Sequence, residues 1–315
     1  MGNSISLLGV VTAVLTPLDQ RGMPNLDLLQ RHIRVLENDG SNAVLLLGTT
    51  GEGPSFSVPE RKAILEAAIA AAGKMEVMAQ TGCASLADTI DLTRHAFGVG
   101  LNKVTVIPPF FFKGISDGGL FEYYRQIIEE AVPTKGSVML YHIPQVTRVP
   151  LSFSLIDRLL NTYGKRIGGI KDSAGDLGHL KELCRRFPQI SVFTGNDQLI
   201  LDALQAGAAG CVTGVVNTFA PLAAAIIQAF RSGNRDADGY QQQLTMVWNI
   251  LDRYQPYTSL MKGLAALRYQ DISWLNVRPP LDPMSPEQLE RMVCELRQVG
   301  LPEAYSWIRR PCPVS

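Results

Sequence analysis

Short apolar runs alternate with amphipathic stretches along most of this 315-residue chain. Most of the apolar runs are continuous, which is typical of strands buried on both faces of a parallel sheet. Eight such runs predict strands, at residues 9–15, 43–47, 76–80, 103–107, 138–141, 167–171, 191–194 and 210–213.

Helical patterns separate these strands. They cover residues 26–38, 59–72, 86–97, 119–131, 153–163, 177–187, 198–206 and 219–231. Strands alternating with helices predict a parallel sheet with right-handed crossovers. Eight strand–helix units are the number that closes a TIM barrel. The pattern therefore predicts an α/β fold, a (β/α)8 TIM barrel, over residues 1–231.

The pattern changes after the eighth unit. Helical periodicity continues at residues 241–254, 256–268 and 286–298, without a clear strand signal. Residues 232–315 are therefore predicted to be a C-terminal helical extension. The uncharged stretch 203–230 is long enough to span a bilayer. Its glycines, Asn217 and Pro221 divide it into a helix end, a strand, a loop and a second helix, so no membrane partner is expected.

Composition excludes several classes of protein. Lys plus Arg and Asp plus Glu each number 29, and 46% of residues are hydrophobic. A disordered chain would be less hydrophobic, and a nucleic-acid binder would show a basic excess. The five cysteines are widely spaced and form no CxxC motif, so a reducing cytosol is expected, with no disulfide framework. Residues 1–6 fit a short myristoylation pattern, but that pattern is weak.

Two residues at strand ends suggest chemistry. The site of a barrel lies at the C-terminal ends of its strands. Lys171 closes the apolar run 167–170. Desolvation disfavours a charged amine, and a neutral amine attacks carbonyl carbons. Alternatively, this lysine pairs with Asp172 or reaches solvent. Tyr141 ends the preceding strand, where its phenol could shuttle a proton or could lie at the rim of the core.

The segment Gly48-Thr49-Thr50-Gly51-Glu52 follows the second strand. Its glycines permit close approach, and its hydroxyls and amides could hold a carboxylate. An ordinary turn remains the alternative. No P-loop and no GxGxxG motif occurs. The four histidines show no metal-ligand spacing, so no metal is expected. His32, His95 and His179 fall in predicted helices and are expected to be surface or packing residues. His142, beside Tyr141, is expected either to contact a ligand or to pack in the core.

Taken in order, these segments resemble the dihydrodipicolinate synthase / N-acetylneuraminate lyase family of Schiff-base aldolases. The resemblance runs over nearly the whole chain. The segments that carry it are residues 12–17, 48–52, 141–144, 169–173, 194–197 and 278–281.

The resemblance implies a role for each matching residue. Lys171 would form an imine with pyruvate or another 2-keto acid. Tyr141 would be the general acid/base, with Thr49 in its proton relay. Thr50 and the neighbouring backbone amides, including that of Gly48, would hold the keto acid's carboxylate. The imine itself would be the electron sink, so no cofactor is implied.

Some positions beyond the imine-forming residues bear on the choice of substrate. They are the loop after the seventh strand and two positions where this chain departs from the family pattern. Gly195 and Asn196 would line the same mouth. The synthase's arginine for its second substrate is replaced by Val146, with Arg148 two residues further on as a possible substitute. The synthase's second tyrosine, lent across a subunit contact, is also missing, because segment 108–112 reads Pro-Pro-Phe-Phe-Phe. Phenylalanine cannot pass a proton, so this segment is expected to be an apolar wall or a subunit contact.

The leading prediction is a class I aldolase or lyase. It would cleave or form a 2-keto acid, such as a 2-keto-3-deoxy sugar acid, with pyruvate bound as the imine and an aldehyde as the other partner. The alternatives are the synthase itself with Arg148 in the arginine's role, a sugar-acid dehydratase or hydratase–aldolase, and a non-catalytic keto-acid-binding relative. The resemblance also implies a homotetramer, and the cysteine pattern places the protein in the cytoplasm as an expectation.

Overall fold

Residues 8–313 are described by a computed structural model. Its eight strands form a closed parallel barrel in the order of the sequence, which confirms the predicted TIM barrel. They are β1 (Gly9–Ala13), β2 (Ala43–Leu46), β3 (Glu76–Gln80), β4 (Lys103–Val106), β5 (Ser137–His142), β6 (Ile167–Asp172), β7 (Ser191–Thr194) and β8 (Gly210–Thr213).

Helices connect the strands and continue beyond the barrel. Those of the barrel are α1 (Leu26–Asn38), α2 (Val58–Ile69), α3 (Leu86–Gly98), α4 (Asp117–Ala131), α5 (Pro144–Thr147), α6 (Phe153–Tyr163), α7 (Leu177–Arg186), α8 (Ile200–Gln205) and α9 (Val216–Ser232). Those of the extension are α10 (Asp236–Leu251), α11 (Tyr257–Tyr269) and α12 (Pro286–Arg297). The myristoylation pattern lies outside the described residues.

Side-chain caps set where several helices begin. Asn25 accepts a hydrogen bond from the Leu28 amide at 3.0 Å, and Ser85 caps α3 in the same way. Ser57 and Glu60 form a reciprocal capping box at the start of α2. Such caps satisfy amides that lack a partner in the first turn. Ser116 caps α4, which therefore begins two residues before the predicted start.

Two other boundaries and one element differ from the prediction. β1 was expected to reach residue 15, but it ends at Ala13, and the Leu15 amide donates to the side chain of Asn217 at 3.1 Å. α10 begins at Asp236, five residues earlier than predicted. The single turn α5 was not predicted at all. Stretch 203–230 divides as expected into the end of α8, β8 and α9.

The core has an inner and an outer part. A small apolar cluster fills the barrel interior below the strand ends, formed by Val11, Ala43, Leu45, Met78, Met139, Phe193, Ala209 and Val212. A larger cluster joins the barrel to the extension, and in it the ring of Phe219 stacks on Tyr305 at 5.1 Å. Because the extension packs on one side of the barrel, its helices can reach the strand ends there. Within residues 8–313, no helix combines the length and apolarity needed to cross a membrane.

Candidate active site

Tyr141 and Lys171 are neighbours across β5 and β6. The two residues are register partners, so both side chains point to the same face of the barrel wall. The Lys171 Nζ lies 4.3 Å from the centroid of the Tyr141 ring. Their exposed fractions are only 4% and 2%. A buried amine and a buried phenol are therefore in contact, as the strand-end pattern indicated.

The acidity of the Tyr141 phenol depends on these neighbours. Burial by itself raises the pKa of a phenol. The positive charge of Lys171 and hydrogen bonds with Thr49, Lys171 and Ser173 outweigh burial, and the pKa of Tyr141 is lowered below its usual range. The arrangement therefore makes this phenol a better proton donor, and its anion is stabilised by the adjacent ammonium.

A second element of the site is the loop of residues 47–53, which we call the threonine loop. Thr49 is exposed and Thr50 is 5% exposed. Glycine is required at two positions of this loop. A Cβ at Gly51 would lie 2.5 Å from the carbonyl oxygen of Val14, and one at Gly53 would lie 1.9 Å from that of Leu47. These close backbone approaches explain the two glycines that flank Glu52.

These elements enclose a cavity of about 240 Å³ at the C-terminal ends of the strands. Its lining contains six of the eight residues that the sequence predicted for the site. The full lining is Thr49, Thr50, Tyr141, Ile143, Gln145, Val146, Lys171, Ser173, Gly195, Asn196, Asp197, Val212, Thr213, Gly214, Trp248 and Tyr257.

Gly48 and Arg148 are not brought into this lining. Gly48 lies in the turn of the threonine loop, where its carbonyl accepts from the Gly53 amide at 3.1 Å. Arg148 ends the single turn α5 in a left-handed conformation, with φ of 57°, and its side chain is exposed. The position two residues before it, Val146, does line the cavity. The short helix thus separates the two positions, which the spacing alone could not show.

His142 and Asp172 are also register partners, one residue beyond Tyr141 and Lys171. Neighbouring residues of a strand point to opposite faces, and neither side chain lines the cavity. Asp172 accepts from the Ala174 amide at 3.1 Å and pairs with His179 Nδ1 at 3.0 Å. The alternative in which Lys171 pairs with Asp172 is therefore wrong, because this carboxylate faces His179.

His142, Asp172 and His179 each offer a possible metal-ligand atom within 4.8 Å of the others, a grouping that the sequence spacing concealed. The two imidazole rings stack at 4.5 Å with 19° between their planes. Imidazole lone pairs lie in the ring plane, so stacked rings do not direct them at one ion. The Leu151 amide also donates to His142 Nδ1 at 3.1 Å. The cluster is therefore a hydrogen-bonded stack in this conformation.

The pKa values of the two stacked histidines are shifted in opposite directions. Burial lowers the pKa of His142 to about 4. The hydrogen bond to Asp172 raises the pKa of His179 despite partial burial. His142 is therefore neutral at neutral pH, whereas Asp172 favours the protonated form of His179, so the stack does not place two positive charges in contact.

Several residues of the cavity escaped the sequence analysis. Asp197 follows Gly195 and Asn196 at the end of β7, and the rule of strand ends could have found it. Burial raises the pKa of the Asp197 carboxyl to about 7, against the lowering effects of Thr213 and the Lys171 charge. Trp248 and Tyr257 come from α10 and α11, with ring centroids 6.0 Å apart. No local signal marks them, because only the packing of the extension places them here.

The aromatic segment after β4 forms an apolar edge beside the site. Phe110 packs against Ile107, Tyr141 and Ile143. Phe111 and Phe112 are 72% and 68% exposed, with their rings edge to face at 5.3 Å. Phe110 thus supports the wall behind the phenol, while its two neighbours project outward.

Comparison with known proteins places the chain in a class of enzymes. The model of the dihydrodipicolinate synthetase family matches residues 6–299. A DapA-like lyase of Chloroflexus aurantiacus is 41% identical over 282 residues, which cover 89% of this chain and 93% of the relative. An N-acetylneuraminate lyase of Escherichia coli SMS-3-5 is 28% identical over 93% of this chain and 97% of its own. The crystal structure of YagE from E. coli K12, a family member in complex with pyruvate, superposes with a TM-score of 0.88 at 26% identity, covering 94% and 99% of the two chains.

The chain belongs to the dihydrodipicolinate synthetase family. The resemblance inferred from the strand-end motifs is confirmed, and with it the prediction that the protein is a lyase of this family.

Proposed function

We propose that the protein forms a Schiff base between Lys171 and a 2-keto acid, and that it cleaves or forms a 2-keto acid such as a 2-keto-3-deoxy sugar acid, with pyruvate and an aldehyde as partners. One observation carries the proposal: the buried contact of 4.3 Å between the Lys171 amine and the Tyr141 ring. The contact lies in a cavity that Thr49 and Thr50 also line.

The geometry supports a balanced sequence of steps. Lys171 passes its ammonium proton to the Tyr141 phenolate, and the free amine adds to the C2 ketone. The phenol returns that proton to the C2 hydroxyl, which leaves as water, so a protonated imine forms and Tyr141 is again a phenolate. The Tyr141 phenolate removes the proton of the C4 hydroxyl, and the C3–C4 bond breaks. Its electron pair moves to the imine nitrogen, so an enamine and an aldehyde result. A proton from Tyr141 then reaches C3, and water hydrolyses the imine to release pyruvate and free Lys171.

The roles of the other residues follow from their positions. Thr50 and the amides of the threonine loop would hold the carboxylate of the keto acid, since hydroxyl and N–H donors bind anions. Thr49 would relay protons, because its hydrogen bond with the phenol already lowers the pKa of Tyr141. Gly195 and Asn196 line the open part of the cavity, where the aldehyde half would lie.

Reductive trapping tests the imine directly. The protein is incubated with pyruvate and borohydride, and the intact mass and the peptide map are measured. We expect one reduced pyruvate per chain, attached at Lys171. Lys171→Ala should bind no adduct and should lose turnover while it keeps its circular dichroism spectrum. An unmodified Lys171 in the wild-type protein, or an adduct on another lysine, would contradict the proposal.

The lining of the cavity disfavours the synthase reaction. Val146 contributes an apolar side chain where the synthase carries its arginine, and Arg148 is exposed outside the lining. We therefore expect pyruvate release from 2-keto-3-deoxy sugar acids and little condensation of pyruvate with aspartate semialdehyde. The opposite result from a panel of both substrate types would assign the synthase reaction instead. A dehydrated keto acid as product would assign a dehydratase, and pyruvate binding without any turnover would assign a binding protein.

The proposal includes a cytoplasmic homotetramer. The exposed rings of Phe111 and Phe112 form an apolar patch suited to a subunit contact. Light scattering should give four times the 34.4 kDa chain mass. The Phe111→Ser/Phe112→Ser double variant should dissociate, and a monomeric wild-type protein would refute this part. Cys83, Cys184, Cys211 and Cys294 carry free thiols, which suits a reducing compartment.

A further inference from the structure

The backbone of the threonine loop adopts an unfavourable conformation. Leu47 has φ of 63° and Glu52 has φ of 56°, and neither is glycine. Side chains bearing a Cβ rarely occupy this left-handed region, and such conformations persist only where the surroundings hold them. The contacts that surround the loop must therefore account for its shape.

The loop is contacted both by the barrel and by helix α11 of the extension. On the barrel side, Thr16 Oγ1 donates to the carbonyl of Gly51 at 2.8 Å. From α11, Thr258 Oγ1 donates to the carbonyl of Thr49 at 3.3 Å. Four residues further along the same helix face, Lys262 Nζ pairs with the carboxylate of Glu52.

The pair between Lys262 and Glu52 is completely enclosed. Both side chains are 0% exposed. Lys262 also donates to the carbonyl of Asn276 at 2.6 Å, and the Arg278 amide donates to Glu52 Oε2 at 3.1 Å. A buried ion pair of this kind is costly to break from one side, because a charge then remains buried without its partner. Glu52 is thereby tied to the extension.

The two contacts bear on the reacting groups through the backbone. The carbonyl held by Thr258 belongs to Thr49, whose side chain hydrogen-bonds with the Tyr141 phenol. The residue held by Lys262 ends the turn that contains Thr50. A shift of either contact would therefore move the hydroxyls that face the cavity.

We propose that Thr258 and Lys262 are positioning residues, through which α11 holds the threonine loop in its substrate-binding conformation. The consequence for substrate rests on the proposed function, because it assumes that the loop binds the keto acid's carboxylate. The positioning itself does not depend on that assumption, since it concerns the conformation of the loop.

Hydrogen–deuterium exchange of the peptide spanning residues 47–53 tests the positioning in the full-length protein. Thr258→Val removes one hydroxyl and keeps the side-chain shape. We expect the loop amides to exchange about fivefold faster, as for the loss of one hydrogen bond. Lys262→Met should accelerate exchange by about a hundredfold or more, because Glu52 loses its partner.

Two matched controls separate positioning from general destabilisation. Arg268→Met breaks another ion pair of α11, which joins Arg268 to Asp39 and does not touch the loop. Thr93→Val removes a buried hydroxyl of α3 that hydrogen-bonds with Thr81 at 2.8 Å. Both controls should leave exchange of the loop peptide within twofold of the wild-type rate, even where they lower global stability.

Pyruvate trapping on the same variants measures the consequence for substrate. The pyruvate concentration for half-maximal adduct formation should rise about fivefold in Thr258→Val and stay within twofold in Thr93→Val. If the wild-type protein forms no adduct, the proposed function fails while the exchange data still decide the positioning. The inference is overturned if the loop peptide of Thr258→Val exchanges at the wild-type rate. It is also overturned if the loop peptide exchanges at the same rate in Lys262→Met as in Arg268→Met. If Lys262→Met does not fold, Thr258→Val alone decides.

Discussion

Gly214, directly after β8, occupies a position where a single methyl group should disturb the site. A Cβ at this residue would lie 2.4 Å from the hydroxyl oxygen of Tyr257 and 2.8 Å from Oγ1 of Thr50. Ordinary contact begins at 3.4 Å, so the Tyr257 oxygen would have to retreat by about 1.0 Å. Both crowded residues line the cavity. Gly214→Ala therefore pushes on the substrate site itself.

The expected magnitudes follow from this crowding. An extra methyl group in a well-packed region typically lowers the free energy of unfolding by about 1–3 kcal/mol. A displacement of about 1 Å in a reacting group can cost about a hundredfold in rate. We therefore expect Gly214→Ala to lower kcat/KM for pyruvate release by about 10- to 100-fold.

Urea unfolding and initial rates measure the two effects. Gly239→Ala is the matched control, because Gly239 lies within α10 and its Cβ would meet nothing within 4 Å. Alanine in a helix interior is more favourable than glycine by about 0.5–1 kcal/mol, so this control should gain stability and keep its rate. A Gly214→Ala protein with wild-type rate and stability would refute the steric reasoning.

Three further predictions concern buried groups that titrate. Tyr141→Phe should still trap pyruvate, as seen by mass, but turnover should fall about 10²- to 10⁴-fold because the proton shuttle is lost; unchanged turnover would exclude that role. Burial raises the pKa of Asp197 from 3.8 to about 7, so the native state binds the extra proton and stability is lost as pH rises through that window. The free energy of unfolding measured in urea should therefore increase for Asp197→Asn relative to wild type as pH rises from 4 to 7. A difference between the two proteins that does not change with pH would argue against a raised pKa. Burial lowers the pKa of His32 from 6.5 to about 4, so the unfolded state binds the extra proton and stability falls as pH drops through that window; His32→Gln should flatten this slope, and an unchanged slope would assign it to another group.

Much of the fold could be predicted because its signals are local. A strand buried on both faces needs a continuous apolar run, and a helix start needs a capping side chain such as Ser57 or Ser85. The ends of these strands in turn identified Lys171 and Tyr141, since parallel strands of a barrel present their last residues at one rim. The predicted end of β1 failed because it depends on a distant partner, Asn217.

The prediction of the site was less complete where the position of a side chain had to be inferred from its spacing along the sequence. Arg148 is two residues from Val146, yet the unpredicted turn α5 leaves the arginine exposed outside the lining. His142 and His179 are 37 positions apart and show no motif, yet their rings stack because β5 and β6 are adjacent. Neither relation is encoded in a local pattern.

The sequence by itself determined the barrel, the family and the neighbouring strand ends that carry Lys171 and Tyr141. Apolar periodicity, helix caps and strand-end residues each involve only a few consecutive positions, so they can be recognised in the sequence alone. Only the tertiary structure decided what surrounds that pair. The sequence predicted that the extension is helical, but it did not show which parts of the barrel its helices contact. In the structure, α10 and α11 bring Trp248 and Tyr257 to the cavity. Helix α11 also brings Lys262 to Glu52. Burial and charge pairing across more than 200 residues of chain arise only when the packed helices exclude water from both partners.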